Sequence, residues 1–193
     1  AAFAILRDGK VVGHLLVEVK LGETTFGTCR GAKAAVKNSR GNPNPEHCQN
    51  LAGVLAKPEE FCWLTSTEGR RYWTYITSPN SPFDFSKLNV GSPCPFSGGL
   101  YQPMRNRILA DALVAETDAT WSDFAVTVHP DNEVAHVLSE EVGGETDVIS
   151  AFRLLVGGNG VRIIEPGDLL SAACNADDTL SEWADWMVGR YIL

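Results

Sequence analysis

The sequence predicts an α/β fold, a mixed sheet flanked by helices, on three observations. The first 21 residues read as a two-stranded hairpin. Leu100 to Ala115 reads as a long amphipathic helix, and beyond it strand and helix signals alternate to the last residue.

The hairpin is set by Asp8-Gly9, a strong two-residue turn signal between an alternating stretch, Ala1 to Arg7, and a returning strand, Lys10 to Leu21. With these two as the turn, Arg7 faces Lys10, Phe3 faces His14 and Ala1 faces Leu16. The position opposite Glu18 then falls ahead of Ala1. On the second strand, His14, Leu16, Glu18 and Lys20 share one face, and Gly13, Leu15, Val17, Val19 and Leu21 share the other. Two charges on so apolar a strand need a reason. A snorkelling lysine paired with a glutamate at a strand end is one. The other is a metal-dependent hydrolytic site, in which the carboxylate holds a divalent cation and the lysine orients or activates the attacking water. Asp8 lies roughly 30 Å from Glu18 along an extended strand, so it is a turn residue and not a second ligand.

No acid occurs between Glu23 and Glu46. Arg30, Lys33, Lys37 and Arg40 recur at spacings of three, four and three, which predicts one side of a short helix ending near Gly41. Such a stripe suits sequence-blind, salt-sensitive phosphate contacts, although a solvated helix face has the same spacing. Asn42 to Pro45 reads as a loop. Glu60 to Trp63 and Arg71 to Thr77 read as a strand pair around Glu68-Gly69, with Tyr72, Trp73 and Tyr75 able to stack on bases but more often core at strand spacing. Ser78 to Ser97 is an irregular loop.

In the helix Leu100 to Ala115, Pro103 is tolerable only in the first turn, and Met104, Ile108, Ala112 and Ala115 share a face. Gln102, Arg105 and Asn106 gather near its N-terminal end, where free N–H groups and the helix dipole favour phosphate. A strand at Phe124 to His129, a helix at Val148 to Val156, a strand at Val161 to Ile164 and a helix opening at Pro166-Gly167-Asp168 follow. A final helix, Thr179 to Leu193, carries Trp183, Met187 and Tyr191 as its expected buried stripe.

At 193 residues, 44% apolar and 21% charged, the chain suits a single domain, 1–193, with a substantial core. No apolar run is long enough for a membrane span, and the opening residues lack a secretory pattern, so a cytoplasmic location is expected. The net charge of −8 is unevenly spread. Residues 1–107 hold 13 Lys or Arg against 8 Asp or Glu, and residues 108–193 hold 3 against 16. A polyanion would approach the first part and be repelled by the second, or the acidic part simply solubilises the protein.

Five cysteines without a secretory signature argue for thiols or metal ligands rather than disulfides. Cys29, Cys48, Cys62 and Cys94 fall at intervals of 19, 14 and 32, and Cys174 stands apart. No CxxC pair exists, but four thiols can hold Zn2+ or an iron–sulfur cluster if the fold brings them together. Cys62 in an apolar stretch is equally a small buried hydrophobe. No nucleophile elbow, phosphate-binding glycine loop or dinucleotide fingerprint occurs, which removes the common hydrolase and nucleotide classes.

A hairpin ending in VEVK, a following basic segment and a later helix beginning YQPMRN resemble the PD-(D/E)XK nuclease superfamily, the restriction-endonuclease-like fold. The order of EVKLGE, FGTC, a Cys-aromatic segment followed by RRYW, CPFSGGLYQPMRN and a terminal W-x-x-W-x-x-x-x-Y is similar to a group of prokaryotic restriction-endonuclease-like proteins. The resemblance implies a Mg2+- or Mn2+-dependent deoxyribonuclease acting on DNA. Glu18 then matches the metal-binding acid and Lys20 the catalytic lysine, with the backbone carbonyl of Val19 as a further metal ligand. Gln102 matches a glutamine that some exonuclease-like members carry on the helix after the core strands. Arg30, Lys33, Lys37 and Arg40 are expected to hold the phosphate backbone. The family's Asp and the helix ahead of its first strand have no counterpart in residues 1–193; either the acid precedes Ala1, or it was replaced, or the chain is a catalytically silent module that binds nucleic acid or protein. Some nuclease relatives hold an iron–sulfur cluster on four cysteines at other spacings. A homo-oligomer stays open.

Overall fold

The computed structural model describes residues 2–21, 23–34, 41–89, 91–133, 137–138, 140–176 and 180–191. Its centre is a four-stranded mixed sheet of β1 (Ala2–Arg7), β2 (Lys10–Lys20), β3 (Trp121–Val128) and β4 (Arg162–Ile163), side by side in chain order. β1 runs antiparallel to β2, whereas β2 with β3 and β3 with β4 are parallel. Parallel neighbours need long crossovers. The first contains α5 (Tyr101–Ala115) and the second α6 (Val148–Val156), with α7 (Pro166–Ala176) and α8 (Ser181–Tyr191) completing the chain. This is the expected α/β sheet flanked by helices.

Asp8 and Gly9 both take positive φ, 52° and 74°, the pairing that a two-residue hairpin turn of matching twist demands. The register of the hairpin differs from expectation past Leu6. Leu6 pairs with Val11 but Ile5 pairs with Gly13, so Val12 is an extra residue in β2. The bulge moves Ala4 opposite His14 and Ala2 opposite Leu16.

One face of β2 and β3 is buried beneath α5 and α6. Leu16, Phe124 and Val126 from the sheet meet Met104 and Ile108 from α5 and Phe152 and Leu155 from α6 in one core. Phe124 and Phe152 are wholly buried and meet edge to face, with centroids 6.0 Å apart at 86°. α6 is well started, because the Asp147 carboxylate accepts the Ser150 N–H. His14 joins this buried face, its Nε2 3.0 Å from Thr117 Oγ1.

The long connection from β2 to α5 corrects two expectations. Glu60 to Trp63 and Arg71 to Thr77 are not strands. The segment folds as α1 (Leu51–Ala56), α2 (Pro58–Phe61), α3 (Trp63–Ser66) and α4 (Tyr72–Ile76). Pro58 opens α2 with Glu59 and Glu60 in its first turn, a helix start in both respects. In α4 the buried residues are Trp73 and Ile76, three apart, so the core selects a helical face from a run whose composition reads as strand. Tyr75 stays partly exposed, beside Arg71.

The basic helix expected from Arg30 to Gly41 is also absent over its described part. Arg30–Ala32 makes one 3-10 turn and Lys33 is extended. Asn42 donates its side-chain amide to the Gly31 carbonyl over 2.6 Å, which occupies an acceptor that a continuing helix would need. Lys37 and Arg40 lie outside the described residues. At the far end, Trp183 is exposed, whereas Ala184 of α8 is buried. No helix among the described residues is long and apolar enough to cross a membrane.

Candidate active site

Glu18 and Lys20 sit at the end of β2, on the face that meets α5. Two strand residues of one face are roughly 6.7 Å apart and one helical turn rises roughly 5.4 Å, so a helix crossing that face can answer both residues from positions four apart. α5 does so. Lys20 Nζ donates to Gln102 Oε1 over 2.9 Å, and Asn106 Nδ2 donates to Glu18 Oε2 over 2.8 Å. Lys20 Nζ also lies 3.1 Å from Glu18 Oε1, which closes a four-residue network.

Burial makes this network demanding. Lys20 is 3% exposed and Glu18 19%, so the ammonium is almost fully removed from water while the carboxylate retains an opening. A charge that deep is tolerated only when paired and hydrogen-bonded. The wholly buried side of the site is closed by the Phe26 ring, whose centroid lies 5.2 Å from Lys20 Nζ. Gly27 follows at φ 69°, and a Cβ there would touch the Gln102 side chain at 3.6 Å. The site is therefore built by two strand residues, two helix residues and the turn after the strand.

The Lys20 carbonyl accepts the His129 N–H across the β2–β3 ladder. Carbonyls alternate along a strand, so the Val19 carbonyl points the other way, towards the β1 side. Among the described residues, the pairing with β1 ends at Leu16. The Val19 carbonyl thus flanks Glu18 on a stretch of strand that β1 does not cover.

Of the expected phosphate-binding residues, Arg30 is committed elsewhere, 3.1 Å from Glu68 and over the Trp63 ring. Lys33 is exposed. The two described members, Arg30 and Lys33, do not lie on a shared helix face. Asn106 is the residue that sequence reasoning missed as a partner of Glu18. Its signal was its place four residues after Gln102 on one helix.

The four cysteines of the first part do come together. Cys29, Cys48, Cys62 and Cys94 line one cavity, otherwise walled chiefly by aromatic and aliphatic side chains, between the 3-10 turns, α3 and the start of α5. Cys48 Sγ donates to the Gly31 carbonyl at 3.6 Å. Burial pushes the Cys29 thiol up to about 12 and the Cys48 thiol up to about 11, and holds Cys94 well above its ordinary range, each reinforced by the neighbouring cysteines. Among the described residues, no three His, Cys, Asp or Glu side chains are arranged to hold a single metal ion.

Comparison with protein-family models, with curated proteins and with solved structures finds no match for this chain.

Proposed function

We propose that this protein is a Mg2+-dependent deoxyribonuclease of the PD-(D/E)XK kind, with Glu18 and Lys20 at its active centre. The observation that carries the reading is the placement of Lys20. Its Nζ donates to Gln102 and lies in an ion pair 3.1 Å from Glu18 Oε1, beside a partly open carboxylate. The Gln102 bond that burial demands also fixes the direction of the Lys20 ammonium beside Glu18. The choice of DNA as substrate follows the resemblance of the EVK and YQPMRN segments.

The donors present fit Mg2+ in its sparing mode. Glu18 Oε2 accepts one hydrogen bond and Oε1 faces the Lys20 ammonium, which leaves lone pairs on both oxygens, and the Val19 carbonyl lies next to it in sequence, while Mg2+ commonly takes one or two carboxylates and completes its shell with water and substrate phosphate. When bound, Mg2+ would neutralise phosphate charge and lower the pKa of an attached water. Asn106 fixes the carboxylate from one side and Lys20 from the other. Lys20 then presents its Nζ, in a poorly hydrated spot, to an attacking water or hydroxide. Gln102 keeps that ammonium from swinging away. Lys33 and other basic residues of the first part of the chain would hold the phosphate backbone.

A second reading rests on Glu18 being, among the described residues, the one acid paired with Lys20. With a single carboxylate, the same scaffold can serve as a silent module that binds nucleic acid or a partner protein. Incubating linear and circular duplex DNA with the protein in Mg2+, in Mn2+ and in EDTA separates the two. Metal-dependent fragments support the enzyme; retarded but uncut DNA under all three conditions supports the module.

A further inference from the structure

We propose that the cleft between α5 and the 78–83 loop binds one neutral nucleobase, taken from a free nucleoside or from an unpaired stretch of DNA. The cleft holds about 520 Å3, within the range of small-molecule sites, and shares no residue with the Glu18 and Lys20 network. α5 lines it with Arg107, Asp111 and Ala112, the loop with Pro82 and Phe83, and the start of β3 with Ser122. Hydrogen bonds fix the loop. The Ser81 N–H donates to the Ser78 carbonyl over 3.0 Å, the Phe83 N–H to Ser81 Oγ over 3.2 Å, and the Asp84 N–H to the Leu155 carbonyl over 2.7 Å. A cleft formed in advance spares a ligand the cost of ordering its walls.

The polar groups of the cleft select the charge of the ligand. Arg107 and Asp111 are the two charged side chains that line it, and each answers the other. Arg107 donates through Nε to Asp111 Oδ2 over 3.1 Å and through Nη2 to Asp111 Oδ1. Ser122 Oγ donates to the same Oδ1 over 2.8 Å, which ties the helix to the strand. An anion entering the cleft would meet Asp111 and a cation would meet Arg107, so a ligand without net charge is favoured.

The pair keeps hydrogen-bonding capacity for such a ligand. The Arg107 side chain is 12% exposed and, among the described residues, its Nη1 has no partner; Asp111, 32% exposed, accepts one hydrogen bond at Oδ2. A ligand acceptor can therefore be answered by Arg107 and a ligand donor by Asp111. Pro82, Phe83 and Ala112 offer apolar surface to the faces of a ring, and Tyr75, partly exposed at the end of α4, adds an aromatic side chain of the kind on which bases stack. A nucleobase unites these requirements in one neutral group, with flat apolar faces and an edge of donors and acceptors. The proposal does not rest on the nuclease reading, because its readout is binding away from Glu18 and Lys20.

The test is an NMR titration of the 15N-labelled full chain with adenosine, guanosine, cytidine and thymidine in turn, and with ribose as a control. At least one nucleoside should bind with a Kd of about 0.1–1 mM, the value that ordinary ligand efficiency gives for its size. It should shift the amide signals of Ser81, Asp111 and Ser122 and leave those of Glu18 and Lys20 in place, and ribose should shift none. Ala112→Trp, which fills the cleft from α5, should weaken binding about tenfold or more. Asp111→Asn, nearly isosteric, should weaken it as well. A short single-stranded oligodeoxynucleotide that shifts the same amides and binds about tenfold tighter than the best nucleoside identifies DNA as the source of the base; equal affinity identifies the free nucleoside. Absence of these shifts with every nucleoside and with the single strand, or unweakened binding by a folded Ala112→Trp, would overturn the proposal. The wild-type shifts locate the site even if the variants do not fold.

Discussion

Asn106 donates to Glu18 Oε2 over 2.8 Å, one helical turn beyond the Gln102 that takes Lys20 Nζ at 2.9 Å. Helix α5 therefore addresses the strand pair residue by residue, and the direction of both charged groups is set from outside the strand.

Asn106→Ala frees one oxygen of Glu18 and lets the carboxylate turn. Cleavage at low Mg2+ should fall about 10- to 100-fold, the usual cost of removing a partner that orients a metal ligand. The Mg2+ concentration giving half-maximal rate should rise, a change that a general loss of stability would not produce. An unchanged Mg2+ requirement contradicts this role.

The core prediction is independent of chemistry. Phe124 and Phe152 are each fully buried, so either change to Ala should cost about 3–5 kcal/mol in denaturant unfolding. The double variant should lose about 0.5–1.5 kcal/mol less than the sum, because their edge-to-face contact is then counted twice. Strict additivity would place the rings in separate environments.

The reactivity of the cavity thiols has a sign fixed by burial. Cys29 is lifted from 9.0 to about 12 and Cys48 to about 11, chiefly by desolvation. Because the folded pKa is raised, the stability these thiols contribute is whole below about pH 9 and is lost as pH rises through 11 and 12. Only the thiolate alkylates, so at pH 8 Cys48 should react with iodoacetamide about 100-fold more slowly than in urea. Equal rates, read by mass spectrometry, would contradict its burial.

Much of this could be read in the sequence, and what escaped did so for physical reasons. Asp8-Gly9 announced the hairpin, and the period of Met104 and Ile108 announced α5. Alternation is blind to one inserted residue, so the bulge at Val12 went unseen and the pairing slipped by one. Arg71 to Thr77 combines aromatic and β-branched residues that suit strands, and only the shared core of Trp73 and Ile76 makes it helical. The prediction that large apolar residues are inside failed at Trp183. Glu18, Lys20 and Gln102 were legible as a set through resemblance; Asn106 became legible only once the helix lay across the strand. The meeting of the four cysteines is a property of tertiary structure that intervals of 19, 14 and 32 do not encode.

Lys33 is an exposed cation in the basic part of the chain. Lys33→Glu should weaken binding of duplex DNA similarly for unrelated sequences and reduce the slope of log affinity against log salt by about one to two. A sequence-dependent loss, or none, would remove Lys33 from the interface.

The central claim is that Glu18 and Lys20 form a hydrolytic centre, and the most direct measurement is the initial rate of DNA cleavage in Mg2+ for the wild type, Glu18→Ala and Lys20→Ala, with folding checked by circular dichroism. The account predicts cleavage by the wild type that EDTA abolishes, and no Mg2+-dependent cleavage by either folded variant. Cleavage at the wild-type rate by either variant would contradict it.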